Sequence, residues 1–170
     1  DIEGRDKAAH FFSKACRRPV TLVTSESTPH QFGNTGSGVG ATGDTRTIHI
    51  INANTVSALA AASNVPIHPE RFRANIILGG SLPPWSEFDW VGRTVKIGSV
   101  LLRVIKRTVR CDGINADARH GTGRADLDMP RLIAEHFPEH GPYLGVYAQV
   151  IGGGTMQVGD SIMDFEIEDA

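Results

Sequence analysis

The sequence predicts a mainly β, α+β domain, barrel-like in outline, with two or three short helices packed around it. Three observations carry this expectation. Short β-branched runs recur between glycine- and proline-marked turns, and only two or three segments keep a helical period. A chain of 170 residues with 40% hydrophobic content is also long enough for one sizeable core. We therefore expect residues 1–170 to form a single domain. Residues 1–5 spell a protease-recognition string of the kind an expression vector leaves behind, and they carry no functional weight.

In chain order, Ala8, Ala9, Phe12, Ala15 and Cys16 recur at helical spacing, so residues 6–16 read as an amphipathic helix with Cys16 in the core. Residues 19–23 read as a short β-branched strand. Residues 24–46 are polar and glycine-rich without an apolar period, which predicts a long surface loop, a pocket wall or a lid. Within it Gly38, Gly40 and Gly43 match the dinucleotide-binding string, but no strand leads into it and no helix follows, so that reading fails. Residues 47–51 read as a strand and 55–62 as an alanine-rich helix behind the capping asparagines Asn52 and Asn54.

Residues 71–78 alternate, which in a strand places Arg71, Arg73 and Asn75 on one face and Phe72, Ala74, Ile76 and Leu78 on the other. Two arginines and an amide in line suit an oxyanion or a heterocycle rich in carbonyls and ring nitrogens; a solvated outer face fits the pattern equally well. Residues 81–89 read as a proline- and tryptophan-bearing loop, with Trp85 and Trp90 anchoring it to the core or lining a pocket. Residues 91–97 and 100–110 read as a hairpin turning at Gly98 and Ser99. Residues 126–137 carry Met129, Leu132, Ile133 and Phe137 on one helical stripe, and 144–151 and 159–167 are closing strands.

The net charge is −2, and apart from the arginine- and lysine-bearing stretch 103–110 the basic residues are interleaved with acidic ones. This gives no footprint for nucleic acid. No run approaches the ~20 apolar residues of a membrane span, and the acidic start resembles neither a signal nor a transit peptide, so a cytoplasmic protein is expected. Cys16 and Cys111 make no disulfide framework and read as reduced thiols.

Cys111 is the residue most suggestive of chemistry. It lies where a strand ends and a glycine-dotted loop begins, with Arg103, Lys106, Arg107 and Arg110 before it to favour a thiolate. A buried structural cysteine is the plainer alternative. Asp112 beside it suits proton transfer or simply caps the loop. His136 and His140 are four apart, as in helical zinc sites, but Pro138 interrupts the turn and no third ligand is near.

Arg71-Phe72-Arg73-x-Asn75, Trp85, Trp90-Val91-Gly92-Arg93, Arg110-Cys111, Leu144-Gly145-Val146-Tyr147-Ala148 and Val158-Gly159-Asp160 resemble, in order and spacing, the MOSC family, named for the C-terminal domain of molybdenum cofactor sulfurases. The resemblance runs over residues 8–165 and is closest to the stand-alone bacterial type. It implies a closed β-barrel with helical additions. It also implies that Cys111 ligates the metal of a molybdenum cofactor (molybdopterin) through its thiolate, or carries a persulfide, and that Arg73, Asn75 and Arg110 contact the pterin and its phosphate. Arg71, Asn115 and Asp117 complete the implied cofactor-binding set. Family members often continue Asn-x-Asp-Pro-x-Thr-Gly after the cysteine; Asn115, Asp117 and Gly121 keep that pattern, while Ala118 and His120 replace the proline and the threonine.

Three functions are then expected in turn. The first is a molybdenum-dependent oxidoreductase that reduces N-hydroxylated small molecules or performs related oxo transfer. Its electrons would come from a separate reductase, since two cysteines hold no iron–sulfur cluster. The second is a sulfur carrier whose Cys111 accepts sulfane sulfur from a cysteine desulfurase. The third is a non-catalytic ligand-binding barrel. Nothing resembles a Schiff-base lysine site, so no pyridoxal phosphate is expected.

Overall fold

The computed structural model describes residues 2–22, 47–121 and 123–165. The expected loop 24–46 with its glycine string, Val23, and the last two residues of the expected strand 159–167 lie outside the described residues.

Helix α1 (Ile2–Cys16) precedes β1 (Thr47–Asn52) in the description, and β1 runs straight into helix α2 (Ala53–Ser63). The switch is made by Asn52, which is extended at φ −97 and whose side chain accepts a hydrogen bond from the Asn54 amide. Asn64 ends α2 in the left-handed conformation that asparagine tolerates best after glycine. Strands β2 (Ile76–Leu78), β3 (Thr94–Ile97), β4 (Val100–Val109), β5 (Tyr143–Gly152) and β6 (Ile162–Phe165), with helix α3 (Met129–His136) between β4 and β5, complete the described elements apart from short 3-10 turns.

The six strands form one sheet in the order β2-β1-β5-β4-β3-β6. Only β1 and β2 run parallel, as expected where a helix supplies the crossover; the other pairs are antiparallel. Register shifts along β4 and β5 mark bulges, which bend and twist a ladder and here curl the sheet. The α+β class holds, but the expected closed barrel does not. The sheet is a curled half-barrel whose end strands, three-residue β2 and four-residue β6, stand at opposite edges with no ladder between them among the described residues. Core residues Ile50, Ile51, Leu102, Leu144 and Val146 line the sheet, and Val56 and Leu59 of α2 meet Met129 and Ile133 of α3 over it.

Three local expectations need correction. Residues 71–75 are not strand: Pro69–Phe72 is a 3-10 turn, begun by the proline that the alternation obscured, and the strand starts only at Ile76. Residues 19–22 form no strand. Cys16 is exposed, because α1 turns its cysteine end to solvent and its stripe offers mostly alanines to bury.

Two buried polar knots fix the loops. Glu87 is fully buried, and burial pushes its carboxyl above the usual range. It accepts from the Thr55 hydroxyl at 3.1 and 3.0 Å, and that hydroxyl in turn accepts from the Trp85 amide at 2.7 Å. Arg71, 1% exposed, is the second knot. Its Nη1 donates to the Ile114 and Asn115 carbonyls and to Asp126 Oδ1 at 2.7 Å, while Nη2 donates to Asp126 Oδ2 at 2.6 Å. The Arg71 guanidinium holds the Asp126 carboxyl below the usual carboxylate range.

Thr55→Val keeps the shape of the side chain but leaves the Trp85 amide and the Glu87 carboxyl without their shared partner. It should cost about 2–4 kcal/mol in urea unfolding. Arg71→Met leaves the Ile114 and Asn115 carbonyls and the Asp126 carboxylate without their shared donor, so a loss of about 3 kcal/mol is expected, the low end for a buried pair because Asp126 is partly solvated. The sign with pH follows from the depressed Asp126 value. Its stabilisation is complete above the ordinary carboxylate pKa of about 4 and disappears as the pH falls through the lower folded-state value. Arg71→Met should therefore flatten the acid limb of the stability profile.

Candidate functional site

Strand β4 ends at Val109, past a register shift between Arg107 and Val109, so Arg110 and Cys111 are freed from strict alternation. Arg110 is pinned by its amide, which donates to the Pro142 carbonyl at 2.8 Å. Cys111 follows in extended conformation and heads a 3-10 turn (Asp112–Ile114). It is exposed, not the buried structural cysteine of the plainer reading. Asp112 and Gly113 beside it are exposed as well.

From its anchor on the β4 side, the Arg110 side chain reaches across β5 to β1. Its Nη1 lies 3.1 Å from His49 Nε2, its Nη2 donates to the Phe72 carbonyl at 3.0 Å, and its guanidinium carbon stands 5.5 Å from the centre of the Phe72 ring. Its Nε is buried without a hydrogen-bond partner among the described residues. Burial is the main reason its pKa falls to about 10, with Arg73 pushing the same way and Tyr147 and Cys111 opposing. Arg110 therefore stays charged at neutral pH.

His49, 7% exposed, is a partner that the sequence reading did not single out. Burial and then Arg110 push its pKa down to about 3, so the imidazole is neutral. Room for the ring comes from Gly145 on β5. At φ +79 it sits where a Cβ would lie 2.7 Å from His49 Nε2, 2.6 Å from the Ile50 carbonyl oxygen and 2.7 Å from Ile51 Cγ2. The available signal was a histidine inside an otherwise apolar strand, followed much later by a glycine inside another.

The segment between Phe72 and Asn75 is fastened at both ends to this pair. Phe72 holds Arg110, and Asn75 Oδ1 accepts from the His49 amide at 2.8 Å while the Asn75 amide donates to the His49 carbonyl at 2.9 Å. Arg73 between them is exposed and left-handed at φ 53, a strained conformation for arginine. Its charge is felt by Arg110.

The other candidates stand differently. Arg71 is consumed by the knot described above. Asn115 Oδ1 accepts from the Met129 amide at 2.8 Å and so caps α3. Asp117, 4% exposed, accepts from the Arg119 amide and side chain and lies 3.5 Å from Arg71 Nη2; those hydrogen bonds hold its carboxyl well below the usual range. His140 stacks on Trp85 with ring centres 4.3 Å apart, and the described residues contain no cluster of three or more groups fit to hold a metal ion.

The site is thus an exposed thiol that follows Arg110 in the chain, the half-buried Arg110 guanidinium with an unpaired donor, and the exposed Arg73, on a strained backbone, whose charge Arg110 feels. A soft thiolate suits a soft metal centre, and paired arginines suit a phosphate. Among the described residues no helix is long and apolar enough to cross a membrane. A search of curated proteins finds no match to the chain. Among solved structures, the YuaD protein from Bacillus subtilis is similar in fold at TM-score 0.56 and 18% identity, over 79% of this chain and 73% of that one. YiiM from Geobacillus stearothermophilus is similar at TM-score 0.51 and 18% identity, over 70% of this chain and 54% of YiiM, so the chain spans about half of YiiM's length. The model of the MOSC domain matches residues 37–163. On that match the chain belongs to the MOSC domain family, which is associated with binding of the molybdenum cofactor.

Proposed function

We propose that the chain binds the molybdenum cofactor, with the Cys111 thiolate as metal ligand and Arg73 and Arg110 holding the pterin phosphate. The single observation behind this reading is the placement of an exposed cysteine next to Arg110, whose buried Nε lacks a partner. Asn75 lines the same segment but spends its oxygen on β1, so only its amide N–H groups are left to read a pterin edge. Arg71, Asn115 and Asp117 act from behind, shaping the turn and the loop that carry the contacting residues.

When bound, molybdenum supplies two-electron oxo-transfer chemistry. The chain's part is to ligate, orient and protonate. Reducing an N-hydroxylated substrate to the N–H compound and water takes two electrons and two protons. In this reading a partner reductase supplies the electrons, and exposed Asp112 beside the thiolate relays a proton. The exposure of Cys111 also favours a second reading, in which a cysteine desulfurase loads a persulfide on it and the chain passes the sulfur on.

Anaerobic purification from a cofactor-competent host, followed by elemental mass spectrometry, should give near-stoichiometric molybdenum that is lost in Cys111→Ser. Metal-free wild type carrying cyanide-labile sulfur would support the second reading instead. Wild type with neither would leave a non-catalytic binding module. Arg73→Gly separates ligand from scaffold: relief of the left-handed strain should keep or raise stability by up to about 1 kcal/mol, while molybdenum retention falls about tenfold.

A further inference from the structure

We infer that His49 is a positioning residue for Arg110, accepting a hydrogen bond at Nε2 from the guanidinium and so holding that group in one orientation with its charge intact. The inference rests on the cofactor reading for what the positioning serves, but its geometry stands apart from it.

Four observations converge. The Nη1 to Nε2 distance is 3.1 Å, and a guanidinium can only donate, so the imidazole must present a bare Nε2 and carry its proton on Nδ1. The Phe72 carbonyl takes Nη2 at 3.0 Å, so the two acceptors, one from β1 and one from the turn before Arg73, grip opposite ends of the fork. The backbone of β5 between His49 and Arg110 is cleared at Gly145, where a methyl group would strike the imidazole. Finally, the backbone N–H and C=O of His49 are both bonded by Asn75, which ties the His49 backbone to the segment that presents Arg73.

The consequence concerns charge. A carboxylate in the place of His49 would neutralise Arg110 and compete with an incoming phosphate. A neutral acceptor fixes the guanidinium without cancelling its charge, so the positive field remains available to an anion. Burial of the ring keeps it neutral, which avoids two cations face to face. This explains why a weak acceptor occupies a position where an acidic residue would form a stronger pair.

The first measurement uses wild type only: nitrogen-15 NMR of labelled histidine assigns the tautomer of His49. The inference requires Nε2 unprotonated, and a proton on Nε2 overturns it. Next, phenylglyoxal labelling with peptide mass mapping on the metal-free chain reads how well Arg110 is held. Arg110 should react several-fold faster in His49→Phe, with the wild-type rate largely restored in His49→Gln, whose amide oxygen is an acceptor of similar reach; equal rates in all three overturn the inference. Molybdenum content, read in the same variants, should fall about tenfold in His49→Phe and recover in His49→Gln. If wild type holds no molybdenum, the cofactor reading fails while the tautomer and labelling results still decide the positioning. If wild type holds it and folded His49→Phe retains it equally, the positioning serves no ligand and that part of the inference is lost.

Discussion

The buried guanidinium of Arg71 is the constraint on which the arrangement around Cys111 depends. Withdrawing an arginine from water costs far more than one ion pair returns, so it is tolerated only where nearly every donor is answered. Here two carbonyls and both oxygens of Asp126 answer it. The partners lie on the stretch after Cys111, whereas Arg71 lies two residues before Arg73. The thiol and the exposed guanidinium are therefore carried by segments that the same knot locks together. A looser surface pair would let each segment move alone, and side-chain placement to within half an ångström would be lost.

Three arginines close in sequence or space thus hold three different stations. Arg71 is internal and compensated, Arg110 is half-buried and gripped by a carbonyl and a neutral imidazole, and Arg73 is exposed on a strained backbone. Burial is the main cause of the lowered basicity of Arg110, and repulsion by Arg73 adds a smaller push in the same direction. Both the repulsion and the left-handed strain are held in place by surrounding contacts, and an anion between the two groups would relieve the first. Groups held in this way are ordered without a ligand, and an anion bound between them would meet a smaller ordering cost.

Most of the scaffold was legible because it follows period and punctuation. The strand at 47–51, the asparagine-capped helix behind it, the hairpin around Gly98 and Ser99 and the stripe of α3 recur within a few residues of where the sequence puts them. The segment 71–78 was misread because alternation over five polar and apolar residues is also what a proline-led 3-10 turn followed by one left-handed residue produces. Nor could sequence tell that Arg71 faces inward, since its partner Asp126 lies 55 positions away. Barrel closure came from family likeness alone, and closure depends on whether edge strands meet, which no local pattern encodes. His49 escaped notice for a related reason: its meaning lies in Arg110 and Gly145, on other strands.

The departure of the loop after Cys111 from the usual family pattern bears on whether the chain has kept its chemistry. Ala118 and His120 stand where proline and threonine are common, and a collapsed loop would argue for a barrel that has lost its function. The loop is instead rebuilt by other means. Asp117 caps the following 3-10 turn through the Arg119 amide at 2.9 Å and grips the Arg119 side chain, and Gly121 closes the turn at φ 63. Asn115 keeps its hold on the start of α3, and its carbonyl takes both Arg71 and the Asp126 amide. The substitutions therefore fall on the loop's outer face, where His120 is exposed, and leave the layer behind Cys111 intact. The loop thus keeps its internal contacts and differs from the family pattern only where it meets solvent, so the layer that positions Cys111 does not depend on the proline or the threonine.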